Sequence, residues 1–169
     1  MLGLGCRLRQ RIAHAVRGPA CAAFALIVSI AFSAHAGAPF DGLLGAWSGS
    51  GQIRYESGDT EGVRCSAYYT GGGQQLRLAI RCRSTSNNIE IRGLLTQHAD
   101  RISGTWEERT FNAAGEASGR MTNGRMNLSI NGGGFSGSMT VSYNDARQTV
   151  VITTQGIPMK SVNVTLGKG

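Results

Sequence analysis

From about residue 45 onward, apolar and polar residues alternate in short runs, and clusters of Gly, Asn, Asp and Ser separate the runs. No stretch in this part of the chain keeps the 3.6-residue spacing of an amphipathic helix. Period-two runs at close, regular spacing predict an all-β protein, either a barrel or a sandwich.

The clearest hairpin is 117–130. Asn123-Gly124 supplies the two positive φ values of a type I′ turn. That turn sets Met121 opposite Met126, Gly119 opposite Leu128 and Ala117 opposite Ile130, all on one face. Arg120, Thr122, Arg125 and Asn127 share the other face. A turn at Gly73-Gln74 places Tyr69 opposite Leu78, Ala67 opposite Ile80 and Cys65 opposite Cys82. A turn at Gly132-Gly133 is expected to set Ile130 opposite Phe135, Leu128 opposite Gly137 and Met126 opposite Met139. One near His98-Ala99 is expected to set Leu95 opposite Ile102, Gly93 opposite Gly104 and Ile91 opposite Trp106. Further strands fall at 47–55, 148–154 and 160–166, which gives about ten antiparallel strands in sequence order. An open sheet with one apolar face would leave that face wet, so the meander must close or fold over. Closure also removes the unpaired edges. The expectation is a small up-and-down barrel, with a meander sandwich as the alternative.

The start of the chain has a different pattern. Arg7, Arg9, Arg11 and Arg17 precede the apolar run 22–32, and Ala34-His35-Ala36 forms a small-x-small site before Gly37. This is the layout of a cleaved secretory signal peptide. The expected organisation is therefore a leader at 1–36 and a single domain at 37–169, periplasmic or secreted. The leader also changes the charge picture. The chain carries 17 Lys+Arg against 10 Asp+Glu, but four of those arginines lie in the leader, leaving 13 against 10. The domain is thus only mildly basic. After residue 36 no run approaches the ~20 apolar residues of a membrane helix. An outer-membrane barrel is disfavoured as well, because lipid would reject an outward face of Arg, Ser, Asn and Glu.

Gly45-Ala46-Trp47, opening the first strand, resembles the Gly-x-Trp that opens the barrel in lipocalins and related small ligand-binding barrels. A second such triplet is Gly104-Thr105-Trp106. The resemblance covers these residues and the meander order, and it implies a small exported β-barrel. The arginine that often closes over the lipocalin tryptophan has no counterpart here, nor does that family's C-terminal helix, and the resemblance assigns no ligand or site.

Cys65 and Cys82 are the only cysteines of the expected domain, and cross-strand register brings them within bridging distance. In an exported protein such a pair is a structural disulfide. Glycines recur on the apolar face at 49, 51, 93, 104, 119 and 137. They either keep the interior hollow for a ligand or let the strands coil tightly enough to close. Glu108 shares the face of Trp106, where an ionised carboxylate is costly unless it is paired or lies at the barrel mouth. If the strand ends after Trp106, Glu108 is simply solvated. Candidate ligand-lining residues are Trp47, Tyr69, Gly104, Trp106, Glu108 and Gly119.

On the outward face Arg64 lies opposite Arg83, with Arg77, Arg81 and Arg92 nearby and Glu90 opposite Arg81. This is either a solvated surface or a patch for an anionic envelope component. Nucleic acid is not expected as a partner, since no aromatic ladder accompanies the arginines. His98 is the only histidine after residue 36, and no nucleophile–base pair, metal set or phosphate loop can be assembled. The sequence therefore predicts a non-enzymatic exported barrel without cofactor or metal, which binds a small apolar or lipidic ligand. The alternative is an interaction or inhibitor module that uses the arginine face.

Overall fold

The computed structural model describes residues 38–169, and the expected leader lies outside them. After a 3-10 turn at Asp41–Leu43 the chain forms ten strands. These are β1 (Gly45–Tyr55), β2 (Thr60–Gly72), β3 (Gln75–Arg83), β4 (Asn88–His98), β5 (Arg101–Glu108), β6 (Ala113–Thr122), β7 (Arg125–Gly132), β8 (Phe135–Tyr143), β9 (Arg147–Gln155) and β10 (Met159–Lys168). Each strand pairs antiparallel with its neighbours in sequence, and β1 pairs with β10, so the meander closes into a barrel. The closing seam sets Gly49 against Leu166 and Ile53 against Val162. It also has a bulge between Arg54 and Tyr55.

Register follows the turn chemistry at Gly73-Gln74 and at Asn123-Gly124, where φ is 49° and 71°. Two other hairpins correct the expected pairings by two residues. The 130s turn lies at Gly133-Gly134, where φ is 61° and 83°. Ile130 therefore faces Gly137, Leu128 faces Met139 and Met126 faces Val141. The β4–β5 turn lies at Ala99-Asp100, with Ala99 itself at φ 54°. Leu95 thus faces Gly104, Gly93 faces Trp106 and Ile91 faces Glu108. In both hairpins a shift of two preserves the buried face, so the core is the one expected.

The interior is one cluster of buried side chains drawn from every strand. Glycines recur where β-strands approach most closely. A Cβ at Gly104 would run into the Leu94 carbonyl and stand 2.9 Å from the Cα of Leu95. At Gly119 it would meet the Asn127 carbonyl and stand 2.9 Å from the Cα of Leu128. Gly49, Gly51 and Gly137 meet neighbouring carbonyls in the same way. These positions allow tight coiling of the wall, as closure of a small barrel requires.

The two ends of the barrel differ. At one end, segment 38–44 crosses the interior. Phe40, Leu43 and Trp47 are almost wholly buried there, and the Trp47 indole donates to the Leu43 carbonyl at 2.7 Å. The Tyr143 hydroxyl donates to the Pro39 carbonyl at 3.0 Å and holds the segment to β8. The other end carries the turns 56–59, 84–87, 109–112, 133–134 and 156–158.

Candidate functional site

A cavity of about 260 Å³ occupies the half of the barrel nearer the 56–59 and 109–112 turns. Its wall is apolar, with Val63, Leu78, Ile80, Ile130, Met139 and Ile152 among the inward residues, and Phe111 and Ile157 reach it from the turns. Trp106 is its largest wall residue. Its strand partners on both sides are glycines, Gly93 on β4 and Gly115 on β6. The indole donates to the Glu116 carbonyl at 3.2 Å, and the ring lies 5.3 Å from that of Phe135 at 45°. Removing this much apolar surface from water favours an apolar occupant by roughly 25 cal/mol per Å² covered.

Glu108 is the one carboxylate of the wall among the described residues. It is buried at the end of β5, so the strand does not stop short of it. Its carboxylate accepts the Glu90 amide at 2.8 Å and the Phe111 amide at 2.6 Å. Each oxygen thus takes one backbone donor that the end of the sheet would otherwise leave unpaired. A buried acid held in this way is anchored to its own turn, and the turn carries Phe111, which is 63% exposed.

Of the six candidate lining residues, Trp106 and Glu108 meet at this cavity. Trp47 and Tyr69 share its face but lie in the packed end. There the Tyr69 hydroxyl accepts from the Gln148 amide at 2.8 Å, and burial pushes the phenol up to about 12. Gly104 and Gly119 lie where strands approach closely, as described above. Cys65 and Cys82 face each other in register with Cα atoms 4.1 Å apart, their sulfurs are joined, and both line the cavity. Phe111 and Ile157 were not singled out in the sequence, because they sit in turns where alternation carries no information.

A second feature of this end is a polar clamp. The Tyr55 hydroxyl donates to Glu61 at 2.7 Å and accepts from the Asn87 amide at 2.7 Å. Glu61 also accepts the Ser86 amide at 2.6 Å. The clamp joins β1, β2 and the 84–87 turn. The Tyr55 hydrogen bond is the main reason the Glu61 carboxyl is held down at about 2.

Outside, Arg64 pairs with Arg83 across β2 and β3, and Arg77 stands opposite Leu94. Glu90 gathers Arg81, Arg92 and Arg109 at 3.6, 3.3 and 3.6 Å. Among the described residues Arg64, Arg77 and Arg83 enter no ion pair. The expected patch is thus divided into a neutralised cluster, the facing pair Arg64 and Arg83, and Arg77 diagonal in register to Tyr68, which is 58% exposed.

Fold and cavity together define a closed ten-stranded up-and-down β-barrel with an apolar chamber at one end. Among solved structures it is similar to Rv2717c from M. tuberculosis, with a TM-score of 0.63 and 13% identity over 77% of this chain and 94% of that one. It is also similar to the S-type phycobiliprotein lyase CPES from Guillardia theta, with a TM-score of 0.52 and 13% identity over 76% and 89%. At this identity the likeness is one of fold. It supports the small-barrel resemblance at that level. No family model and no curated protein matches the sequence.

Proposed function

We propose that this protein is an exported, non-enzymatic barrel that holds a small apolar or lipidic ligand in the chamber beside Trp106. The observation that carries the reading is the contrast between the two ends. One is packed around Phe40, Leu43 and Trp47, while the other keeps about 260 Å³ of apolar space next to an exposed Phe111. That volume lies just below the ~300–1,000 Å³ of ordinary ligand pockets, which suits a small occupant. Lining by Glu108 does not argue for acid–base chemistry, since both of its oxygens are engaged by backbone amides. Export is supported by the basic–apolar–small pattern of residues 7–36 and by the Cys65–Cys82 bridge.

Native mass spectrometry of the purified protein tests the reading directly, together with tryptophan emission during titration with an apolar naphthalene probe. A co-purified mass, or an emission change that disappears in Trp106→Phe, is expected. No bound mass and an emission indifferent to the probe would sink the proposal. The second reading, contact with an anionic envelope component, is favoured by Arg64, Arg77 and Arg83, which enter no ion pair among the described residues. Sedimentation with anionic but not neutral vesicles, lost in the triple Arg→Gln variant, is its signature.

A further inference from the structure

The outer surface is as uneven as the interior. No charged residue occurs in 126–144, 148–159 or 161–167, which together make up most of β7 to β10. A soluble surface ordinarily carries roughly 25–35% charged residues, so this side of the barrel departs strongly from the norm. What replaces charge is ordered. Ser129, Ser138, Thr153 and Ser161 stand in direct register across four neighbouring strands. The rank continues backward through Ser118, Ser103 and Thr96 on β6, β5 and β4. A second rank, Ser142, Thr149, Thr165 and Ser50, runs parallel to it. Neighbours within a rank are separated by the ~4.8 Å strand spacing.

The short side chains of Ser129, Ser138, Thr153 and Ser161 in the first rank floor an open groove of about 930 Å³ on the outside of β7–β10 and β1. Longer residues border it near the 56–59 and 156–158 turns: Arg54, Lys160, Gln155 and Glu56. Arg54 stands next in register after Ser161, and Lys160 is the extra residue at the bulge. Within the first rank the hydroxyls of Ser138 and Thr153 satisfy one another at 2.8 Å.

The geometry points to this groove as a binding site for a glycan chain that carries carboxylates. A hydroxyl both donates and accepts, as does each sugar hydroxyl, so a floor of Ser, Thr, Asn and Gln matches a polyhydroxylated surface in either direction. Arg54 and Lys160 supply two cations against the one carboxylate of Glu56, which favours an acidic over a neutral glycan. Competing occupants lack a counterpart in the groove. A peptide strand needs a sheet edge, and closure has removed it. A single nucleic-acid strand needs aromatic platforms, and none lines the groove. The site lies on the outside of the wall and does not depend on the chamber being occupied.

The test is an NMR titration of the isotope-labelled protein with oligogalacturonate and, separately, with neutral malto-oligosaccharide. Amide shifts are expected around Ser129, Ser138, Thr153 and Ser161, with tighter binding of the acidic chain. Arg54→Gln with Lys160→Gln should weaken the acidic chain about tenfold, the scale of one charge-assisted contact. Ser138→Glu, at a solvent-facing position, should abolish binding of both chains, by bulk for the neutral chain and by added repulsion for the acidic one, while the melting temperature stays near wild type. Arg64→Gln with Arg83→Gln, on β2 and β3 outside the groove's lining, should change nothing. The proposal is overturned by the absence of shifts, by shifts centred on Arg64 and Arg83, or by equal losses from both double variants.

Discussion

The carboxylate of Glu108 accepts the backbone amide of Phe111 at 2.6 Å, so a buried acid at the end of β5 seats the exposed aromatic ring beside the chamber. Its other oxygen takes the Glu90 amide and ties the same turn to β4. Glu108→Ala leaves two donors without their acceptor, and each loss costs about 1–3 kcal/mol. Chemical denaturation should show that loss, and hydrogen exchange at the Glu90 and Phe111 amides should accelerate. Protection unchanged at both amides would mean that the carboxylate does not hold the turn.

Close strand approach makes Gly104 and Gly119 intolerant of even a methyl group. Gly104→Ala and Gly119→Ala should each destabilise by about 1–3 kcal/mol, through overpacking against backbone that cannot rotate away. Gly62 is the control, because no atom lies within 4 Å of a Cβ built there. Its alanine variant should unfold near the wild-type midpoint. Equal midpoints for all three would show that the wall has room to spare.

The bridge between Cys65 and Cys82 closes a loop with a sequence separation of 17. In the chain-entropy model a loop of this size contributes about 3 kcal/mol. Cys65→Ser should therefore lower stability by about 2–4 kcal/mol while leaving the barrel folded, as far-ultraviolet circular dichroism would show. Non-reducing peptide mapping should recover the two cysteines in one fragment pair. Two free thiols in the native protein would contradict the pairing.

Acid should loosen the Tyr55–Glu61 clamp only at very low pH. The folded Glu61 carboxyl is held at about 2, below its ordinary 4.5, chiefly by the Tyr55 hydroxyl. Its contribution to stability is therefore complete above the ordinary value and is lost as pH falls through about 2. Tyr55→Phe removes the donor, so the Glu61 midpoint followed by carboxyl NMR should rise toward 4.5. An unmoved midpoint would assign the shift to the Ser86 amide instead.

Strand count, buried face and the cysteine pair are legible in the residues themselves. Alternation has a period of two, so it states which side chains share a face without any knowledge of the fold. Asn123-Gly124 and Gly73-Gln74 also name their own turns, because a two-residue hairpin fixes its register locally. The same period hides a slip of two. Gly132-Gly133-Gly134 offers two places for a tight turn, and alternation is satisfied by both. All three have positive φ, and only the pairing of Gly132 with Phe135 chooses between them.

Depth along the barrel axis is what tertiary structure alone decided. Trp47, Tyr69 and Trp106 share a face, yet two of them are packed away and one lines the chamber. The difference follows from where segment 38–44 crosses the interior, and that depends on β1 meeting β10 from the opposite end of the domain. Glu108 is set in the same way, because its two amide partners come from β4 and from the turn beyond it. The hydroxyl ranks were present in the sequence as scattered Ser and Thr. They became a surface only when nine hairpins and one closing seam brought them into register, since a row across strands is built from residues far apart in the chain.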